Sequence, residues 1–196
     1  KHTPVLAGVN ATDPFRLMPQ FLKQVKEAGF SGVQNFPTVG LFDGKMRANM
    51  EATGLGYDKE VEMIRLAHEM DLLTTPYVFN EDEAQAMVKA GADLIVAHVG
   101  LTTGGTIGAA EAMTMDEAID TTNRIADAAR KIRKDVLVIC HGGPFDDPEN
   151  VAKAMERMPG VNGFYGATSM ERLPVERAIT EQVRKFTQMK LNPFQK

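Results

Sequence analysis

The chain carries a single cysteine, Cys140, so no internal disulfide can form, and one lone thiol points to a reducing compartment. Long apolar runs are missing too: the longest span five or six residues, against the roughly 20 that a membrane helix needs. No secretory leader pattern opens the sequence, which turns polar directly after the short run Val5 to Val9. The expected location is therefore cytoplasmic. Basic residues are not in excess: 22 Lys and Arg stand against 26 Asp and Glu, a formal charge of −4. That balance argues against nucleic acid and against an anionic membrane surface as partners. A small anionic metabolite is compatible with it, because backbone amides and helix N-termini bind anions locally. Nor does Met open the chain, whose first strand-like run starts at Pro4; the sequence reads as a piece of a longer polypeptide.

What is present suits one domain, with 43% apolar and 24% charged residues in 196, expected over residues 1–190 with 191–196 as a C-terminal tail. Short β-branched runs alternate with amphipathic stretches six times. The predicted strands are Pro4–Val9, Ser31–Asn35, Leu73–Val78, Leu94–His98, Val136–His141 and Gly163–Tyr165. The predicted helices are Pro14–Ala28, Asp58–Met70, Glu81–Lys89, Met115–Ile132, Pro148–Met158 and one near Pro174–Met189. Such alternation signals parallel βαβ units. Asp13-Pro14 and Asp147-Pro148 read as an N-cap followed by a first-turn proline. Asn80 with Glu83, and Thr114 with Glu117, have capping-box spacing, and Gly29, Gly91 and Gly160 sit where a left-handed helix C-cap is usual.

An open doubly wound sheet would use the same units, but no Gly-x-Gly-x-x-Gly follows the first strand, and polar residues cluster after nearly every strand. A barrel uses all its strand–helix loops in that way. The fold class expected is α/β, a (β/α)8 TIM barrel with six βα units present and the first two lacking. An incomplete barrel leaves strand edges uncovered, so a homo-oligomer, or a fused N-terminal segment in the full-length protein, is the expected partner.

The strand ends carry the candidate site. His98 closes the run from Leu94 and His141 the run from Val136, each followed by glycine, and imidazoles there can move protons near neutral pH. These two are the candidate catalytic residues. Candidate substrate-binding residues are Asn10, Asp13, Gln34, Asn35, Thr75, Tyr77, Gly142, Gly143, Tyr165, Gly166, Ser169 and Arg172. Asp13 and Ser169 read equally as helix caps, and Thr12 reads as a cap. Cys140 neighbours His141, but strand alternation turns adjacent side chains to opposite faces, which argues against a Cys–His dyad. Three glycine loops, Gly104-Gly105, Gly142-Gly143-Pro144 and Gly166-Ala167-Thr168-Ser169, read either as tight turns or as anion cradles, with Arg172 adding charge. Phe36–Tyr57 is long for a strand–helix connection and suits a lid or an oligomer contact, with a helix around Lys45–Ala52. Asp13, Asp43, Asp146, Asp147, His98 and His141 could ligate a divalent metal such as magnesium, though no spacing matches a binding pattern.

The strings PVLAGVNATDPF, GFSGVQNFPTVGLFDG, EATGLGY, LLTTPYVF, GADLIVAHVGLTT, CHGGP and GFYGATSMERLPVE together resemble the TIM-barrel phosphoenolpyruvate hydrolase-like family of the phosphoenolpyruvate/pyruvate superfamily. The likeness runs to about Met189. It implies a barrel and a small phosphorylated or carboxylated ligand of phosphoenolpyruvate or pyruvate type; in plants and fungi such a barrel is the C-terminal half of larger proteins. The Lys-Lys-Cys-Gly-His motif of the superfamily lyases is absent, since Cys140-His141 lacks the preceding lysines. Two functions therefore stand side by side: a hydrolase or lyase of such metabolites, or a non-catalytic ligand-sensing or assembly module.

Overall fold

The computed structural model describes residues 2–190. The tail expected at 191–196 lies outside the described residues.

Strand β1 (Leu6–Gly8) leads to helix α1 (Met18–Glu27), then β2 (Gly32–Gln34), a single 3-10 turn at Val39–Leu41, and helices α2 (Gly44–Ala52) and α3 (Tyr57–Glu69). Strands β3 (Leu73–Thr74) and β4 (Tyr77–Val78) precede α4 (Glu81–Lys89). Then come β5 (Leu94–His98), α5 (Met115–Ile132), β6 (Leu137–His141), α6 (Pro148–Met155), β7 (Gly163–Phe164), the short α7 (Thr168–Glu171) and α8 (Leu173–Thr187). All pairings are parallel, in the orders β1-β2-β3 and β4-β5-β6-β7.

The run expected as one strand, Leu73–Val78, is two because Pro76 interrupts it. Proline has no N–H to give to a ladder, yet its carbonyl accepts from Val96 N at 2.9 Å, so the chain steps from the first sheet to the second without leaving the layer. Six strand positions therefore run in chain order, and the layer curls. Gln34 at the end of β2 reaches the Tyr165 hydroxyl just past β7, at 3.3 Å. Among the described residues β1 and β7 do not pair, so the barrel is not closed.

Side-chain caps set the starts of α4, α5 and α6. Thr114 and Glu117 form a reciprocal capping box on α5, Asn80 accepts from Glu83 N on α4, and Asp147 accepts from Glu149 N and Asn150 N on α6. The expected start of α1 at Pro14 is displaced. Asp13 spends its side chain on Phe15 N (2.9 Å) and an ion pair with Arg16 (3.2 Å), so the helix begins four residues later at Met18. Gly29 and Gly91 have the left-handed dihedrals expected of a C-cap (φ 88° and 96°). Gly160 does not, since α6 closes earlier, with Glu156 as its cap.

The core lies between the outer face of the strands and the helices. Val33, Met63, Ile64, Met87, Ile95, Ile125 and Val138 are fully buried there, each such side chain contributing roughly 1.5–3 kcal/mol. Cys140 points into a second cluster with Val99, Ile119, Phe145 and Met158, and burial pushes its thiol up to about 11. It faces away from His141, as alternation required. No helix among the described residues is long and apolar enough to cross a membrane.

Candidate functional site

His98 and His141 occupy directly paired positions of β5 and β6, and their rings meet at 4.7 Å between centroids. Both are buried at the C-terminal ends of their strands. Tyr77, the first residue of β4, lies 5.0 Å from each ring, and Tyr165 stacks on Tyr77 at 6.1 Å. Phe79 packs on the far side of His98 at 4.8 Å. Gln34, Phe36, Leu41, Thr102, Gly166 and Thr168, with the two histidines, Tyr77 and Tyr165, surround a pocket of about 480 Å³.

Hydrogen bonds fix the two imidazoles in opposite tautomers. His98 Nδ1 accepts from Gly100 N at 3.1 Å, so in the neutral ring the proton sits on Nε2. His141 Nδ1 lies 2.6 Å from the Tyr165 carbonyl, which can only accept, so Nδ1 carries the proton and Nε2 is a lone pair. The Tyr77 hydroxyl stands 3.5 Å from that lone pair. Burial, reinforced by the neighbouring His141, lowers His98 to about 3, and burial likewise lowers His141 despite the Tyr165 carbonyl. Burial raises the Tyr77 phenol to about 12. The pocket therefore holds one imidazole that donates, one that accepts, and no imidazolium near neutral pH.

Gln34 adds an unusual feature. Its Oε1 accepts from the Tyr165 hydroxyl, while its buried Nε2, with the Tyr77 hydroxyl as its polar neighbour, makes no hydrogen bond of proper geometry. A buried donor left unpaired costs about 1–3 kcal/mol.

A second layer holds these elements in register. Asn35, fully buried and turned away from the pocket, accepts from Tyr77 N at 2.7 Å and donates to Tyr77 O at 3.2 Å. Its amide also donates to Glu60, whose carboxylate accepts in addition from Thr38 Oγ1 (2.8 Å) and Val39 N (2.7 Å). Burial pushes Glu60 up to about 7, against those three donors. Arg47 bridges Glu51 (2.6 Å) and Glu83 (3.3 Å) beside it.

Of the residues predicted from sequence, His98, His141, Gln34, Tyr77, Tyr165 and Gly166 come together in the pocket. The others do not line it. Asn10 is exposed and bonds its own loop, at Thr12 N and Thr12 Oγ1. Asp13 is held by Phe15 N and Arg16, and Asn35 serves the strands. Thr75 lines a different, open hollow of about 390 Å³ with Pro4, Val5, Leu94 and Ile139. Gly142 and Gly143 press on the neighbouring loop: a Cβ on Gly142 would lie 2.2 Å from Gly100 O, and Gly143 N already donates to Gly100 O at 2.9 Å. Ser169 lines a separate hollow with Pro148 and Phe164. Arg172 is spent on Glu176 (2.8 Å) and Gly104 O (3.2 Å). The pocket residues not predicted singly are Phe36, Leu41, Gly100, Leu101, Thr102, Ala167, Thr168 and Glu171; Phe36 and Leu41 come from the long connection after β2 whose length was the available signal.

Among the described residues no three His, Cys, Asp or Glu side chains gather closely enough to hold a divalent metal. Asp146 and Asp147 are engaged by Asn150 and the start of α6.

Solved structures share the fold. FabK from Thermotoga maritima superposes with a TM-score of 0.51 at 19% identity, over 84% of this chain and 42% of that one. A catalytic-lysine mutant of Ruminococcus gnavus sialic acid aldolase gives 0.52 at 14% identity, over 88% and 52%. Identities this low speak for the fold alone, and the neighbours are TIM barrels. In sequence, two tomato (Solanum lycopersicum) proteins, the ToMV susceptible protein tm-1(GCR26) and the ToMV resistance protein Tm-1(GCR237), are each 60% identical over 186 residues, 95% of this chain. The chain spans about a quarter (25%) of the length of those relatives. With residues 1–189 matching the family described as phosphoenolpyruvate hydrolase-like, the chain belongs to that family.

Proposed function

We propose that the pocket is the active site of an enzyme that moves a proton on a small carboxylated or phosphorylated metabolite of phosphoenolpyruvate or pyruvate type. The observation that carries this reading is the opposite tautomers of two buried, facing imidazoles. His141 Nε2 would take a proton from the carbon beside a carbonyl. The C–H pair becomes the new C=C bond, and the carbonyl π pair moves to oxygen, which accepts from His98 Nε2–H. Returning the proton to that carbon or to another completes the cycle with no net charge left in the site. A neutral imidazole donor at a developing enolate and a neutral imidazole base match the low dielectric of a buried pocket.

The experiment is deuterium exchange at the methyl group of pyruvate, followed by proton NMR, with oxaloacetate and phosphoenolpyruvate turnover run in parallel. His141→Ala should abolish exchange and His98→Ala should slow it by 10²-fold or more, on the order expected for loss of a positioned acid or base. Exchange unchanged in both variants would sink the assignment. The share of the tomato relatives covered favours a second reading, a ligand-sensing module within a larger protein. Binding of a metabolite without exchange or turnover would select it. In either reading two further βα units complete the barrel, covering the edges of β1 and β7 and the exposed Val175, Ile179, Val183 and Phe186 of α8.

A further inference from the structure

We infer that this pocket takes a small carbonyl compound with at most one negative charge, such as a 2-oxo monocarboxylate, in preference to a phosphate ester, and that the unpaired amide of Gln34 is the group that selects it. The inference rests on the pocket proposed above and names the ligand class that pocket accepts. Gln34 Nε2 is buried without a partner, so the site contains a donor waiting for an oxygen. Its Oε1 is held by Tyr165, which turns the amide so that Nε2 is the free end. His98 Nε2–H is a second neutral donor around the same cavity, because Nδ1 is occupied by Gly100 N. Two neutral donors and one neutral acceptor suit a carbonyl or a single carboxylate.

The features that would hold a phosphate are spent elsewhere. Among the described residues no Lys or Arg lines the pocket, and the one carboxylate that does, Glu171, adds charge of the wrong sign. Arg172, the nearest cation in sequence, is committed to Glu176 and the Gly104 carbonyl. The Gly143 amide donates to Gly100 O rather than to the cavity. Neither histidine supplies a charge near neutral pH, since burial lowers both. A dianion would lose its hydration with no cation to replace it.

Calorimetric titration of this chain at pH 7.5 with pyruvate, phosphoenolpyruvate and inorganic phosphate tests the inference. Pyruvate is expected to bind at least tenfold more tightly than either phosphorylated probe. Gln34→Leu should weaken pyruvate about tenfold, and Gln34→Glu, which replaces the donor by a like charge, should weaken it further. Thermal melts within a few degrees of the parent would show both variants folded. Tighter binding of phosphoenolpyruvate or phosphate, an unchanged pyruvate affinity in a folded Gln34→Leu variant, or no binding of any probe would overturn it. The two readings fail separately. Gln34-dependent pyruvate binding without deuterium exchange removes the acid–base role and keeps the ligand class, while His141-dependent turnover of phosphoenolpyruvate does the reverse.

Discussion

Asn35 substitutes for a strand at Tyr77: its side-chain oxygen takes the Tyr77 N–H at 2.7 Å and its amide gives to the Tyr77 carbonyl at 3.2 Å. Just past β2, where the ladder to β3 has ended, one amide side chain carries the pairing on to β4. The residue whose ring touches both histidines is thereby fixed from behind.

Removing that amide should therefore cost far more than removing its neighbour. Asn35→Leu strands the Tyr77 N–H and deprives Glu60 of a donor, an expected loss of about 3 kcal/mol. Gln34→Leu removes a donor that has no partner along with the acceptor of the Tyr165 hydroxyl, two effects of opposite sign, and should stay within about 1 kcal/mol of the parent. Urea unfolding midpoints of the two variants check the contrast, and equal losses would contradict it.

Glu60 makes stability fall with rising pH. Its folded value lies near 7 against 4.5 unfolded, so between those values the folded state binds the extra proton. The contribution is complete below pH 4.5 and gone above about 7, amounting to up to about 3 kcal/mol. Glu83, also raised by burial, acts in the same direction. Groups held low by Arg, such as Glu62 and Glu176, act oppositely but at lower pH. Unfolding free energies of the parent and Glu60→Gln from pH 4.5 to 7.5 should diverge in slope, with the downward trend of the parent largely absent in the variant.

The tautomers are directly observable. Long-range proton–nitrogen correlation spectra should show His98 protonated at Nε2 and His141 at Nδ1, with His98 not titrating between pH 5 and 8. A His98 ring that charges near its ordinary value of 6.5 would falsify the account of a dry donor.

Gly142 is a backbone requirement rather than a ligand. At φ 83°, with a Cβ placed 2.2 Å from Gly100 O, Gly142→Ala meets both strain and collision. A loss of about 2 kcal/mol or more is expected, read as a lowered melting temperature, together with disturbed resonances of the loop 99–103. A melt unchanged from the parent would mean the loop has room to give.

The pattern of the chain determined the alternation of strands and helices, the caps at Asn80, Thr114 and Asp147, the parallel sense of the layer and the inward turn of His98 and His141. These follow from local rules: side-chain period, proline and glycine dihedrals, and hydrogen bonds spanning three residues. Asn10, Asp13, Asn35 and Arg172 looked equivalent to Gln34 on those rules, because a polar residue near a strand end has the same local signature whether it faces a cavity or a neighbouring backbone. Only the tertiary structure separated them. The curl of the layer brings Gln34 to Tyr165, 131 residues away in sequence, and the pairing of strands brings Asn35 to Tyr77. Asn10, Asp13 and Arg172 are instead taken by near neighbours in the chain: Thr12, Phe15 with Arg16, and Glu176. The tautomer of His141, too, depends on the Tyr165 carbonyl, 24 residues beyond it, whose position is set by packing and not by spacing along the chain.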